Sequence, residues 1–414
     1  MRSLTPLTAL LLAPLALGLA ACSGAASPQD AAATDAATDE ATGPGHGAVQ
    51  GAAELAEPAL GLTTIDPTGQ VTHLDLLDET VTELGTVGAP SAVTTDGRYL
   101  FAETDEGVEI VDSGAWTWDH VDHFHYYRAE PALLGTVEGE GPATVATTNQ
   151  SMSGGTGVFF EGSGDAVLLD TAALSAGSVD ELFRLEGEPG AGMVVPVGSL
   201  ALSTEGQGAA TRVVGRTAEG DETGATAPCP DAAGTITTRV GAVVGCSDGA
   251  LLASVVDGEL TIESVPYPAD ATAPPATSFD NREGRPTVAG LAGTEGIWVL
   301  DTREREWSLL PAPVPLVHVT AVDDDDDHLL ALAEDGRVLV LDGEDGAVLS
   351  ETAPLVADSL AAGQQPVLVA DQQRAYLSGP SERVLHEIDH ADGARIARSF
   401  ETATEPTWTA ETGR

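Results

Sequence analysis

Ile297-Trp-Val-Leu-Asp301, Val338-Leu-Val-Leu-Asp342 and Leu385-His-Glu-Ile-Asp389 share one form: a short apolar run, an aspartate, and then a turn leading into another β-rich run. Successive aspartates in this series are 41 and 47 residues apart. The form recurs upstream in Gly61-Leu-Thr-Thr-Ile-Asp66, Val108-Glu-Ile-Val-Asp112 and Val167-Leu-Leu-Asp170. From Asp66 to Asp112 is 46 residues, and Asp257, before Gly258, precedes Asp301 by 44. Aspartate and glycine supply the turn chemistry of β-hairpins. A hairpin motif with a period in the forties is the mark of propeller blades. No long stretch of helical period interrupts the pattern. The chain therefore reads as all-β, a β-propeller of seven or eight four-stranded blades. A solenoid or two stacked sandwiches are the alternatives, but sandwiches seldom repeat one hairpin at this interval.

Working outward, the 414 residues carry 17 Lys plus Arg against 65 Asp plus Glu, a formal charge of -48. All 17 bases are arginine. So acidic a chain lacks the positive surface that nucleic acid or anionic lipid requires. Hydrophobic residues at 42% suffice for a core, and 47 Gly with 25 Pro suit a fold of many turns.

Residues 1–21 read as a lipoprotein signal peptide: Arg2, then an apolar run from Leu4 to Leu19, then Leu19-Ala20-Ala21-Cys22. That last string resembles the bacterial lipobox, which makes Cys22 the expected lipidated N-terminus and places the protein outside the cytoplasm, anchored to the cell membrane. Residues 22–57 are rich in Ala, Thr and Asp and read as a disordered tether containing His46. The propeller is expected over 58–404, with 405–414 as a C-terminal tail. In an oxidising compartment the remaining Cys229 and Cys246 form an even pair. A disulfide across a β-hairpin is expected, with zinc ligation as the rival.

One cluster stands above the background. Trp116-Thr-Trp-Asp119-His120-Val-Asp122-His123-Phe-His125-Tyr-Tyr-Arg128 holds three of the nine histidines within six positions. On a strand, residues at i and i+2 face the same way, so His123 and His125 can both aim a ring nitrogen at one ion. His120 joins them if the chain bends there. Asp119 and Asp122 are expected either as oxygen ligands or as partners of a ring N–H. The bland alternative is a satisfied polar layer between blades.

At these residues the sequence resembles the periplasmic zinc metallochaperones of the AztD type, β-propellers that hand zinc to the solute-binding protein of a zinc ABC importer. The resemblance rests on His-Val-Asp-His-Phe-His-Tyr after a blade ending Ile-Val-Asp. It rests also on the cysteines in Cys229-Pro-Asp and Gly245-Cys-Ser-Asp-Gly249, and on the blade-like spacing. It implies Zn²⁺ as cargo, His120, His123 and His125 as ligands, and the importer's binding protein as partner. Where the family often places a histidine soon after the first cysteine, this chain has Asp231-Ala-Ala-Gly234, which leaves the fourth ligand open.

Other polar features read as structural. Asp323 to Asp327, followed by His328, is expected as a solvated loop. His318, His386 and His390 are expected as structural or exposed. No Gly-x-Ser-x-Gly elbow, His-Glu-x-x-His or phosphate loop is present, and the absence of lysine excludes Schiff-base chemistry. The chain is therefore read as no enzyme. A propeller scaffold for protein–protein contact without metal is the alternative to the zinc carrier.

Overall fold

The computed structural model describes residues 47–119 and 123–413. The signal peptide, Cys22, His46, His120 and Asp122 lie outside the described residues. Among the described residues, eight antiparallel sheets form the blades of a propeller, and a ninth, three-stranded sheet is inserted in the second blade. Strands are named first to fourth from the channel outward.

Blade 1 comprises Trp408–Thr412, Gly61–Ile65, Gln70–Asp75 and Val81–Thr86. Blade 2 comprises Ala92–Thr95, Tyr99–Thr104, Gly107–Asp112 and Ala132–Glu138. Blades 3, 4 and 5 follow in simple order, ending on Glu181–Leu185, Glu222–Pro228 and Glu259–Pro266. Blade 6 has three strands, Thr287–Leu291, Ile297–Asp301 and Glu306–Leu310. Its first position is reduced to a single bridge between Asp280 and Ala289. Blades 7 (Leu316–Ala321 to Val348–Glu351) and 8 (Leu368–Ala370 to Arg395–Glu401) are again four-stranded.

The stretch 405–414, read as a tail, instead supplies the first strand of blade 1. Trp408–Thr412 pairs with Gly61–Ile65 from Gly61↔Thr412 to Ile65↔Trp408, so the last strand closes the ring on the first blade. Its sequence, Trp-Thr-Ala-Glu-Thr, carries little apolar signal because a first strand lines the channel, yet Ala410 and Thr412 are buried. The boundary at 58 also moves. Residues 47–57, assigned to the tether, include the strand Ala53–Leu55, which a sequence window of small and acidic residues does not announce.

Burial explains why the apolar runs were legible. Leu329–Ala333 and Val338–Leu341 are second and third strands, and every residue in them is buried. Such strands are covered by neighbouring blades on both faces and read as unbroken hydrophobic runs. Fourth strands, such as Glu259–Pro266, have one face in water and alternate. Eight apolar clusters fill the seams between successive blades. Ile65, Leu100 and Val111 lie between blades 1 and 2, Val340 and Leu377 between 7 and 8, and Leu74 and Tyr376 between 8 and 1.

The repeated aspartates terminate third strands. Asp301 Oδ1 accepts from the backbone N–H groups of Arg303 and Glu304, and Asp342 Oδ1 does so from Glu344 and Asp345. These Asx turns start the hairpin to the fourth strand. Asp112, Asp170, Asp257 and Asp389 hold the same position. Asp66 does not: it ends the second strand of blade 1, where Asp75 takes the corresponding place. The period from Asp66 to Asp112 therefore joined two different hairpins.

Cys229 and Cys246 are disulfide-bonded, with Cα atoms 5.0 Å apart. The bond does not cross a hairpin. Cys229 follows the fourth strand of blade 4 and Cys246 ends the second strand of blade 5, so it straps one blade to the next. Closing a loop of this size contributes about 3 kcal/mol through the unfolded chain.

Candidate metal centre

Third strands run toward the face that also carries the turns between first and second strands. On that face Asp112 starts an insertion before the chain returns as the fourth strand of blade 2. Gly114 N–H donates to Asp112 Oδ1, and Ala129 N–H donates to the Gly114 carbonyl at 2.7 Å, closing the root of the insertion. Within it Ala115–Asp119 and Phe124–Arg128 form a hairpin, and Ala53–Leu55 adds a third strand on the far side of Phe124–Arg128.

Strand alternation sorts the side chains. Trp116 opposes Tyr127 and Trp118 opposes His125, so these four share a face with His123. Glu54 opposes Tyr127 and joins them from the outer strand. Thr117, Asp119, Phe124 and Tyr126 face the other way, onto a cavity of about 1360 Å³ at the channel mouth. That placement puts Asp119 on the opposite face of the hairpin from His125.

His123 Nε2 and His125 Nε2 lie 2.9 Å apart, and His125 Nδ1 contacts Glu54 Oε1 at 2.7 Å. A carboxylate only accepts, so His125 donates from Nδ1 to Glu54, and in the neutral ring this leaves the lone pair on Nε2. Two nitrogens bound to one zinc at about 2.0–2.1 Å stand roughly 3.3 Å apart in tetrahedral geometry. The observed pair is therefore a few tenths of an ångström from that spacing. Glu54 stands where a carboxylate would orient His125 if that ring were a metal ligand. The sequence reading missed Glu54 because it lay in the supposed tether, and its pairing with Tyr127 is a contact over more than seventy positions. His123, directly before the strand Phe124–Arg128, and His125 within it stand side by side, while His120 lies outside the described residues.

The root is stiff. Arg98, 2% exposed, donates from Nε and Nη2 to the two carboxylate oxygens of Asp112 at 3.0 and 2.7 Å. Its guanidinium carbon sits 3.8 Å from the centre of the Trp116 ring, which stacks on Tyr127, which stacks in turn on His125. Trp116 Nε1 donates to the Gly47 carbonyl at 3.0 Å. Gly47 has φ +72°, and a Cβ there would stand 2.7 Å from Trp118 Cβ, so a side chain is excluded on both counts.

Beside this root, burial pushes the Asp96 carboxyl up to about 6, although Tyr99 and Arg98 N–H groups donate to it. An acid whose folded pKa exceeds its unfolded value of about 3.9 stabilises the fold only while protonated. Its contribution is full below about pH 4 and is lost as pH rises to about 6. Asp96→Asn keeps the acceptor oxygen and removes the charge. The variant should gain stability relative to wild type across that window, by up to about 3 kcal/mol, and then plateau. Denaturant midpoints of both proteins between pH 4 and 7 check this.

The acidic run is a solvated loop only in part: Asp325, Asp326 and Asp327 are exposed, but Asp323 and Asp324 turn inward. Asp323 is buried and paired with Arg285 at 2.8 Å and Arg303 at 2.9 Å, while Asp324 is paired with His328 at 2.7 Å. Consecutive carboxylates diverge because the backbone turns through positive φ at Asp323 and Asp327. His318 meets Asp280 at 2.8 Å and His386 meets Ser399 at 2.9 Å, in keeping with structural roles.

Among solved structures, the chain is similar to two of AztD from Citrobacter koseri, one of them the apo protein. Their TM-scores are 0.72 and 0.71, identities 21% and 20%, with 86% of this chain covered and 99% and 98% of theirs. The fold is that of AztD. A dihydro-heme d1 dehydrogenase, NirN, is a more distant likeness at TM-score 0.53 and 15% identity, covering 87% of this chain and 76% of that one. No protein-family model and no curated protein matches the sequence. At these identities the likeness to AztD establishes the architecture, and the chemistry rests on this chain's own residues.

Proposed function

We propose that this AztD-like propeller is a zinc-binding protein that holds Zn²⁺ as cargo at the insertion and delivers it to the solute-binding protein of a zinc ABC importer. The observation that supports this reading is the approach of His123 Nε2 to His125 Nε2 at 2.9 Å, with Glu54 on the remaining nitrogen of His125. His120, three residues before His123, is the third ligand in this proposal. Neutral imidazoles suit zinc and disfavour calcium and magnesium. A three-histidine site keeps one tetrahedral position open, where a partner's ligand enters before the carrier's ligands leave. Zinc here is bound and passed on, and no catalytic step is assigned to it.

Location on an exposed insertion serves transfer. His123 is exposed and His125 half-buried, so the ion is reachable from outside the ring. We propose further that Cys22 carries the lipid anchor, which keeps the carrier beside a membrane-bound importer. Cys22→Ala should release the protein from the membrane fraction, and unchanged fractionation and mass would remove the anchor from this account. No helix among the described residues is long and apolar enough to cross a membrane.

Glu54→Gln tests the zinc reading without touching a ligand. Loss of an orienting carboxylate typically weakens metal affinity roughly ten- to hundredfold. Chelator competition at pH 7.5 should show that loss with an unchanged circular dichroism spectrum. An unaltered affinity would mean that His125 is not a ligand. A wild-type protein without zinc affinity would leave the propeller as a scaffold for protein contacts.

A further inference from the structure

The histidine-bearing hairpin belongs to blade 2 by chain order, yet two contacts beyond its root run to blade 1. Arg128, the last residue of Phe124–Arg128, donates from Nη2 to Asp75 Oδ2 at 2.6 Å, and Asp75 ends the third strand of blade 1. Thr117, in the middle of Ala115–Asp119, donates its hydroxyl to the Gly413 carbonyl at 2.8 Å. Gly413 directly follows Trp408–Thr412, the strand that closes the ring.

Gly413 is itself held on several sides. Its N–H donates to the Gly97 carbonyl at 2.9 Å. Gly97 lies between Asp96 and Arg98 in the turn joining the first two strands of blade 2, and its own N–H donates to Thr95 Oγ1 at 3.0 Å. Gly413 has φ +100°, and a Cβ there would stand 2.2 Å from the Ala59 carbonyl oxygen, so the chain passes this point only as glycine. Behind it Thr412 is fully buried, with Oγ1 3.1 Å from Thr63 Oγ1 and 3.4 Å from the Gly61 carbonyl oxygen. One residue thus bridges the closing strand, a turn of blade 2 and the insertion.

Strand alternation gives this bridge its consequence. Thr117 faces away from Trp116 and Trp118, and Trp118 opposes His125. A bond to the underside of Ala115–Asp119 therefore sets the height and tilt of the face that carries His125. The two ties are unequal. Arg128 is exposed, and an ion pair in water contributes little. The Thr117 bond is half-buried and ends on a backbone carbonyl that cannot swing away, so it is the stronger restraint.

We infer that blade 1 is the platform of the histidine hairpin, with Thr117 and Arg128 as positioning residues, and that docking of the hairpin and closure of the ring form one cooperative unit. The docking is a property of the metal-free chain; its effect on metal rests on the zinc reading. Coupling is reciprocal, so an ion held by His123 and His125 tightens Trp408–Thr412 as that strand tightens the site.

The test is backbone hydrogen exchange of the whole metal-free chain in wild type, Thr117→Val, Thr117→Ser, Gly413→Ala and Thr117→Val/Arg128→Gln. Thr117→Val removes the donor at constant shape, and exchange in Ala115–Asp119 and Phe124–Arg128 should quicken roughly two- to tenfold, the effect of one hydrogen bond. Thr117→Ser keeps the hydroxyl and should restore wild-type rates. Gly413→Ala should quicken the hairpin and Trp408–Thr412 together. Leu329–Ala333 in blade 7 is the control and should not change. Saturating Zn²⁺ should slow exchange of Trp408–Thr412 in wild type, and chelator competition at pH 7.5 should show weaker binding by the double variant. Unchanged hairpin exchange in both Thr117→Val and Gly413→Ala would overturn the inference, as would quickening that spreads equally to blade 7. Tight zinc binding that neither protects Trp408–Thr412 nor weakens in the double variant would overturn the coupling. A quickened hairpin in a wild-type chain that binds no zinc would sustain the docking and overturn the zinc reading alone.

Discussion

Joint replacement of His123 and His125 by alanine is expected to remove one tightly held zinc ion per chain. Zinc bound at four-ligand protein sites is worth roughly 10–16 kcal/mol, or about 3 per ligand. Since 1.4 kcal/mol is a factor of ten, one substitution should weaken binding on the order of a hundredfold and both by on the order of 10⁴. The fold should be unaffected. His123 is exposed, His125 is half-buried, and neither belongs to the apolar clusters between blades. Competition against a zinc chelator at pH 7.5 provides the affinity, and far-UV circular dichroism provides the control. Tight binding at the insertion surviving both substitutions would place the centre elsewhere. The two-residue spacing also predicts that His→Gln at either position fails to rescue, because an amide is a poor zinc ligand beside an imidazole.

The largest stability effect is expected from Arg98→Ala. Arg98 and Asp112 are both nearly inaccessible, and the pair is bidentate. Removing one partner strands the other charge in the interior, at a cost of about 3–5 kcal/mol. The contact of the guanidinium with the Trp116 ring at 3.8 Å is lost as well, and a desolvated cation–π contact contributes up to about 2 kcal/mol. Denaturant unfolding reads the sum. The substitution should also lower zinc affinity, because the stack of Trp116, Tyr127 and His125 loses its footing. Replacing both members, as Arg98→Met with Asp112→Asn, should recover much of the stability, since no charge is then stranded. Equal losses in the single and double variants would mean that the pair itself is not what holds the root.

Glu54 and Arg98 show why the site was only partly legible. His125 lies on the strand Phe124–Arg128 and His123 directly precedes it, and extended backbone between residues two apart keeps their rings on one side. Glu54 reaches His125 only because Ala53–Leu55 pairs across Phe124–Arg128, a non-local contact that no window contains. Arg98 meets Asp112 across a hairpin and Trp116 across the root of an insertion, and its sequence context, Asp-Gly-Arg-Tyr, reads as an ordinary turn. The acidic run misled for a related reason. Five like charges imply solvation if each faces water, but positive φ at Asp323 and Asp327 turns the loop, which brings Asp323 to Arg285 and Arg303 and Asp324 to His328.

By itself, the sequence determined the all-β class, the hairpin period and the propeller, because buried middle strands need unbroken apolar runs and third strands end on aspartates that build Asx turns. It determined also that His123 and His125 stand side by side. Tertiary structure alone decided the rest. It set eight blades, with the sixth short by a strand, and made the polar Trp408–Thr412 the strand that closes the ring. It carried the disulfide from one blade to the next, and gathered Asp324, His328 and His390 at one seam. Each of these depends on which blade lies against which, and that is fixed only when the ring closes and residues far apart in sequence become neighbours.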